Sequence, residues 1–173
     1  MTKKEPTTDL LFSEADATPF STDEKTLKPW AQAQKCLEAA ARVWITTVRQ
    51  DGRPHTAPVL LLWRDDTAYV TSRPSARKAR NLLDNEHCTI VTNDADLDLT
   101  VEGVATRITG ADELERVAGA FKEKYGWPFA VREGKAYDES LPGPPEYAFW
   151  EVKFTKAFGY GPEGNTATRW GFE

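Results

Sequence analysis

The sequence is poor in the features that mark several large classes of protein. Its only two cysteines, Cys36 and Cys88, cannot form a disulfide framework. Together with the only histidines, His55 and His87, they match no common zinc-site spacing, so we expect no metal site. No apolar run approaches the roughly 18 to 20 residues that cross a bilayer, and the N-terminal residues lack the apolar core of a secretory signal. The sequence therefore predicts neither a disulfide-rich scaffold nor a membrane protein.

Two further absences narrow the chemistry. The net charge is −5 and no basic stripe is present, which argues against binding to nucleic acid or to an anionic membrane. The chain contains neither a P-loop nor a Gly-x-Ser-x-Gly nucleophile elbow. Neither cysteine has the local surroundings expected of a reactive thiolate. We therefore expect a soluble cytoplasmic protein.

The chain is long enough for one domain. It has 173 residues, of which 40% are hydrophobic and 28% are charged, as is ordinary for a globular protein. Residues 1 to 22 are polar and rich in threonine and aspartate, which predicts a flexible N-terminal arm. Residues 23 to 173 are then the folded domain.

A first helix, rich in alanine, is followed by short β-forming runs that tight turns connect. Asp51-Gly52 marks a hairpin between two such runs, and Pro54 and Pro58 predict an edge, a bulge or a bend in its second strand. Gly103, inside a later alternating run, predicts a bulge or a close backbone approach. Residues 126 to 145 read as a long loop, often functional in proteins. We predict a mainly β fold, an antiparallel barrel with helices on its outside.

The stretch TSRPSARKARNLLDN, residues 71 to 85, places charges against the helix dipole. Ser75 is a candidate cap for the helix that follows. Arg77 and Lys78 occupy the first turn, where the backbone is already positive and acids are favoured. A bound anion would remove this conflict, with hydroxyl donors from Thr71 and Ser72. The alternative is that both cations are solvated surface residues.

Two other sets of residues are candidate ligand contacts, but each can also be explained by an ordinary structural role. His55 follows a turn and could contact a ligand at the barrel rim, although a surface role is favoured. The tail ATRWGF contains Arg169 and Trp170, which could line a site for an aromatic ligand or could simply form an ion pair and complete the core.

An ordered set of short patterns in residues 44 to 92 resembles a known family. The set is a strand ending in Thr-Val, an Asp-Gly turn, a Pro-His-x-x-Pro strand, a Thr-Ser strand end and a Ser-x-Arg-Lys-x-x-Asn-Leu segment. It is similar to the signature region of the pyridoxamine 5′-phosphate oxidase-like, flavin-binding split-barrel proteins, and covers roughly residues 30 to 110. The resemblance implies a six-stranded antiparallel split barrel of the FMN-binding type. It also implies a homodimer with flavin at the subunit interface.

The resemblance assigns positions around the cofactor as well. The anion would be the phosphate of FMN, or of the related deazaflavin coenzyme, held by Arg77 and Lys78 with help from Thr71 and Ser72. The other implied cofactor positions are Thr56, Ala57, Pro58 and Val59 beside the ring, Asn93 at a strand end, and Arg169 and Trp170 from the tail of the partner subunit.

A flavin-dependent oxidoreductase that transfers hydride to or from an unidentified small molecule is the implied function. The flavin carries this chemistry, so the absence of an evident acid–base residue counts little against an enzyme. The tail resembles only loosely the motif that holds substrate in true pyridoxamine phosphate oxidases, so we expect a different substrate. The alternatives are a reductase that uses the deazaflavin coenzyme in the same groove, and a non-catalytic flavin-binding protein.

Overall fold

Strands dominate the structure, a computed structural model that describes residues 4–11, 26–162 and 167–173. The strands are β1 (Thr7–Leu10), β2 (Arg42–Val48), β3 (Pro54–Arg64), β4 (Thr67–Ser72), β5 (His87–Asn93), β6 (Asp98–Arg107), β7 (Phe129–Arg132), β8 (Lys135–Asp138), β9 (Glu146–Tyr160) and β10 (Ala167–Gly171). The helices are α1 (Trp30–Ala39), α2 (Arg77–Asp84) and α3 (Ala111–Tyr125). Within the described ranges, none of these helices has the length and apolarity that a bilayer crossing requires.

Six strands close into a barrel, which confirms the predicted fold. They follow the order β9-β4-β3-β2-β5-β6, and β6 pairs with β9 to complete the ring. Every pair in the ring is antiparallel. Successive side chains of a strand point to opposite faces, so one face of each strand lines the barrel interior. In β2, Val43 and Ile45 are buried, whereas Trp44 between them is exposed.

Strand β3, the second strand of the first hairpin, is a sheet edge along more than half of its length, as its prolines predict. Residues 54–60 of β3 pair with β2 alone, and residues 61–64 pair with β4. Proline has no amide to donate, so Pro54 and Pro58 are tolerated where one side of the strand is unpaired. This edge leaves the barrel open beside β3.

Gly103 also behaves as predicted. The register of β6 against β9 shifts between Glu102 and Gly103, which is a bulge. A Cβ at Gly103 would lie 2.6 Å from the carbonyl oxygen of Lys153, so only glycine permits this close approach of the two backbones.

Two hydrophobic clusters hold the helices on the barrel. The barrel interior contains Ile45, Leu61, Trp150 and Trp170, all at most 2% exposed, and α1 closes it with Trp30. The second cluster forms between α3 and the outer side of β4 and β9, around Phe121 and Phe149. Their rings pack edge to face at 5.2 Å.

Residues 126 to 145 are not the uninterrupted loop that we expected. They contain a hairpin, β7–β8, that turns at Glu133 and Gly134, both with positive φ. The Glu-Gly pair between two short apolar runs is the turn signal that the loop prediction overlooked.

The predicted N-terminal arm is also corrected in part. Residues 7–10 form β1, which pairs with β10 and so uses backbone groups that β10 would otherwise leave free at the sheet edge. Residues 1–3 and 12–22 of the arm lie outside the described residues.

Candidate functional site

A groove of about 350 Å³ opens beside the unpaired edge of β3. Residues 58–60 of β3, residues 71–73 at the end of β4, and Ala76 with Lys78 at the start of α2 form one side. Arg42, Trp127 and Tyr147 complete the lining. We call this cavity the β3–α2 groove.

The end of β4 gives the groove a rigid floor. All six residues of β4 are buried. The Thr71 hydroxyl donates to the carbonyl oxygen of Ala148 on β9 at 2.9 Å, so its proton is already used within the sheet. Within the part of the chain that the structure describes, the one hydrogen bond of the Ser72 hydroxyl is long, 3.4 Å to the carbonyl oxygen of Arg73. Ser72 is therefore the freer donor of the two.

The start of α2 lacks a side-chain cap. Ala76 is the N-cap residue and makes no side-chain cap hydrogen bond, so the prediction that Ser75 caps this helix is wrong. The first turn holds no acidic residue either. The first amides of a helix have no intrahelical partner, so α2 presents uncapped donors beside Lys78. An anion is the natural partner for such a helix end.

Positive charge gathers around His55, whose charged neighbours include the groove residue Lys78. Burial lowers the pKa of the half-buried Lys78. Burial also lowers the pKa of His55, and the charges of Arg49, Lys78 and Arg77 lower it further. These four residues, Arg49, His55, Arg77 and Lys78, are the cationic cluster. Within the described residues, none of its members forms an ion pair with a carboxylate.

Arg49 carries the clearest sign of a missing partner. Its Nε atom is buried and has no hydrogen-bond acceptor in the described part of the chain. A buried charged donor is costly to leave unmatched. The cluster therefore combines hydrogen-bond donors, positive charge and one buried donor without an acceptor, which are the properties of a phosphate site.

A buried polar chain fixes α2 against the first hairpin. The Asn81 amide donates to the Thr47 hydroxyl at 2.9 Å, and that hydroxyl donates to the carbonyl oxygen of His55 at 3.4 Å. Asn81 and Thr47 are both buried. Sequence reasoning missed this link, although an asparagine on the apolar face of a helix is a usable signal. The link ties the position of Lys78, one turn earlier, to the strand that carries His55.

Two of the lining residues of the groove form an aromatic pair. The Trp127 and Tyr147 rings meet edge to face at 4.9 Å, and the Arg73 guanidinium lies 5.8 Å from the centre of the Tyr147 ring. The carboxylate of Asp138, at the end of β8, accepts a hydrogen bond from the Trp127 side chain. Burial raises the pKa of Asp138, but hydrogen bonds from Ser140 and the Trp127 side chain hold that pKa below its ordinary value. The hairpin thus orients Trp127 toward the groove.

The model of the family described as pyridoxamine 5′-phosphate oxidase matches residues 29–160. This match spans most of the chain and both sides of the groove. The chain belongs to the pyridoxamine 5′-phosphate oxidase-like family. No curated protein sequence matches the chain closely enough to count as a relative.

Solved structures share the fold of this pyridoxamine 5′-phosphate oxidase-like chain. A conserved hypothetical protein from Mycobacterium tuberculosis matches with a TM-score of 0.61 and 17% identity, covering 83% of this chain and 85% of that chain. A pyridoxamine 5′-phosphate oxidase-related, FMN-binding protein from Nostoc punctiforme matches with a TM-score of 0.58 and 16% identity, covering 83% and 90%. A structure described as an F420 reductase matches with a TM-score of 0.52 and 22% identity, covering 72% and 94%.

Five of the residues that the family resemblance assigns to the cofactor line the β3–α2 groove. They are Pro58, Val59, Thr71, Ser72 and Lys78. Arg77 follows the groove residue Ala76, is exposed, and belongs to the cationic cluster. Thr56 and Ala57 lie on the same edge of β3, immediately before Pro58. The groove residues that sequence reasoning did not assign to the cofactor include Arg42, Trp127 and Tyr147.

The remaining three predicted positions lie elsewhere in this pyridoxamine 5′-phosphate oxidase-like chain. Asn93 ends β5 opposite Asp98, and Arg169 lies 3.5 Å from the Asp9 carboxylate on β1. Trp170 is 0% exposed, and its ring packs 5.5 Å from that of Trp30. Because its ring has no exposed surface, Trp170 is a core residue and not the cofactor contact that we expected. An aromatic residue in a tail carries no local signal that separates these two roles.

Proposed function

We propose that this protein is a flavin-dependent oxidoreductase that holds FMN in the β3–α2 groove. The observation that carries the proposal is the cationic cluster at the uncapped start of α2, together with the unmatched Nε of Arg49. Arg77, Lys78 and Arg49 would bind the phosphate, and the Ser72 hydroxyl would add a donor. His55 would face the same anion as a fourth, titratable group.

The rest of the groove suits a planar ring. The edge of β3 from Thr56 to Val59 offers backbone groups that pair with no strand on that side, so they are free to bond to polar ring atoms. Trp127 in the groove lining supplies an aromatic surface. Bound FMN would supply hydride transfer. The chain's own residues would fix the position of the cofactor and exclude water from one side of it.

We also propose that two copies of the chain pair through the outer face of β3, β2 and β5. Trp44 on β2 is 54% exposed, and its register partners on the neighbouring strands are Pro58 and Val91. Pro58 also lines the β3–α2 groove. A partner seated on Trp44 would therefore adjoin the groove, as expected for a cofactor site at a dimer interface.

Two observations keep the deazaflavin coenzyme as a second candidate cofactor. The fold is similar to a structure described as an F420 reductase, and F420 is a deazaflavin. Arg42 and Arg73 line the groove beyond the cationic cluster, where they could accept the acidic tail of that coenzyme. A flavin-binding protein without turnover is the remaining alternative, which reduction of the bound cofactor by NADPH or NADH would exclude.

Fluorescence titration of the apoprotein with FMN, and separately with the deazaflavin coenzyme, tests the proposal. Arg77→Ala combined with Lys78→Ala removes two charge-assisted contacts of about 1.5–3 kcal/mol each, so affinity should fall at least about a hundredfold. Lys35→Ala combined with Lys122→Ala is the matched control, since it removes two exposed helix charges outside the groove. Failure of both cofactors to bind, or equal losses in the two double variants, would overturn the phosphate site.

A further inference from the structure

A second cavity, of about 390 Å³, lies between the start of α1, the β3–β4 turn, the middle of β9 and the end of β10. It reaches β4 at Thr67, whereas the β3–α2 groove reaches the same strand at Thr71 and Ser72. A strand rises about 3.3 Å per residue, so these contacts are roughly 13 Å apart along β4. We call the second cavity the aromatic cleft, and the proposed flavin function does not use it.

Four aromatic residues form one wall of the aromatic cleft. The rings of Trp63 and Phe154 are stacked, with centroids 5.4 Å apart and an interplanar angle of 16°. Trp30 meets both of them edge on, at 6.4 and 6.3 Å. Phe172 packs 4.8 Å from Trp30. Because each ring is braced by the others, the wall is formed before any ligand arrives.

The rim of the aromatic cleft is acidic. Among the described residues, the carboxylates of Glu5, Glu151 and Glu173 line it together with the ammonium groups of Lys4 and Lys153. Asp66 also lines the cleft, where its carboxylate accepts from the Gln34 amide at 2.6 Å. Lys4 and Glu173 pair with each other. Glu151 is half-buried, and its carboxylate accepts no hydrogen bond and forms no ion pair within the described residues. A half-buried carboxylate without a partner lies in the same cavity as a preformed aromatic wall.

We propose that the aromatic cleft binds a small organic cation with an aromatic or alkyl body, of the quaternary ammonium or arylalkylamine class. The negative faces of aromatic rings attract such a cation, and tryptophan does so best. Glu151 adds the opposite charge at the same place. An anion of similar size would be repelled by the Glu151 carboxylate, and a neutral aromatic compound would gain ring contacts alone. The volume of the cavity falls within the range that small ligands occupy.

Benzyltrimethylammonium is the probe for this proposal, with benzyl alcohol and benzoate as neutral and anionic comparisons. Binding is measured by calorimetry on the full chain, and its location by the indole N–H signals of ¹⁵N-labelled protein. We expect the cation to bind more tightly than either comparison compound. It should shift the signals of Trp30 and Trp63 and leave those of Trp44 and Trp127, which lie outside the cleft, in place.

Two substitutions separate the contribution of the aromatic wall from that of the Glu151 carboxylate. Trp63→Leu should weaken cation binding about tenfold, and Glu151→Gln about fivefold, whereas Glu115→Gln on the exposed side of α3 should leave it unchanged. Glu151→Gln changes only a half-buried charge and keeps the test valid if Trp63→Leu fails to fold. Equal binding of the cation and benzyl alcohol would overturn the proposal. So would shifts confined to signals other than those of Trp30 and Trp63.

Discussion

Replacing Trp44 with serine should separate the proposed dimer into monomers. The side chain is 54% exposed in the single chain. A fully covered aromatic side chain buries about 150–250 Å², so covering the remainder of Trp44 would remove about 100 Å² from water. At about 25 cal/mol per Å², this is about 2.5 kcal/mol for each copy. A two-fold interface loses the contact twice, about 5 kcal/mol, so the dimer dissociation constant should rise more than about a thousandfold.

Sedimentation equilibrium over nanomolar to micromolar protein concentrations measures this change directly. Trp44→Ser should keep the circular dichroism spectrum and the melting behaviour of the subunit fold, because the residue lies outside the barrel. The comparison variant is Leu141→Ser, which removes another exposed apolar side chain, 42% exposed, from outside the β2 face. The same samples, titrated with FMN, should show weaker flavin binding for Trp44→Ser alone, because the site would then lack its partner subunit.

A wild-type chain that stays monomeric while saturated with flavin would refute the proposed dimer itself. A Trp44→Ser variant that remains dimeric at the wild-type concentration would refute the choice of face. If the variant were monomeric and yet bound FMN with unchanged affinity, the dimer would stand but the shared cofactor site would not.

Two further predictions concern the cationic cluster and the core. NMR titration should place the pKa of His55 below its ordinary value in the free protein, because burial and then the neighbouring charges lower it. Binding of FMN should raise this pKa. A pKa that FMN leaves unchanged would contradict the phosphate site. Since the unfolded chain then binds this proton more readily, the contribution of His55 to stability should decline as pH falls through the ordinary histidine pKa. In urea unfolding, Gly159→Ala should cost about 1–3 kcal/mol, because its Cβ would lie 2.5 Å from the Trp170 ring. Gly119→Ala, whose Cβ would meet no described neighbour within 4 Å beyond its own helix, should instead stabilise α3. Equal effects of the two substitutions would show that the Trp170 ring can move.

The parts of the fold that the sequence predicts correctly are those with a local cause. Pro54 and Pro58 lack amides, and they lie where β3 has only one neighbour. Gly103 lacks a Cβ, and it lies where two backbones approach closely. Closure of the barrel between β6 and β9 has no such local cause, since about fifty residues separate the paired positions. That closure could be expected from the family resemblance alone.

The errors arise where a residue's role depends on what lies across a strand or behind a loop. Trp170 follows an arginine in the tail and resembles a ligand contact, but the neighbouring strand presents Gly159 opposite its ring and so makes room for it in the core. Trp127 lies in a stretch without regular periodicity, and only the β7–β8 hairpin and Asp138 turn it toward the groove. Such placements need the tertiary structure.

The cationic cluster has a consequence for stability as well as for binding. Like charges gathered at the positive end of α2 disfavour the free protein, and the charges of Arg49, Lys78 and Arg77 add to burial in lowering the pKa of His55. A dianionic phosphate would remove that cost, so the binding energy would include the relief of repulsion already present in the subunit. At a hundred times the dissociation constant, a ligand stabilises the native state by about 2.7 kcal/mol. Chloride or sulfate at the same charge concentration would screen the cluster only partially. FMN should therefore protect the protein from unfolding far more strongly than riboflavin, which has the ring and lacks the phosphate.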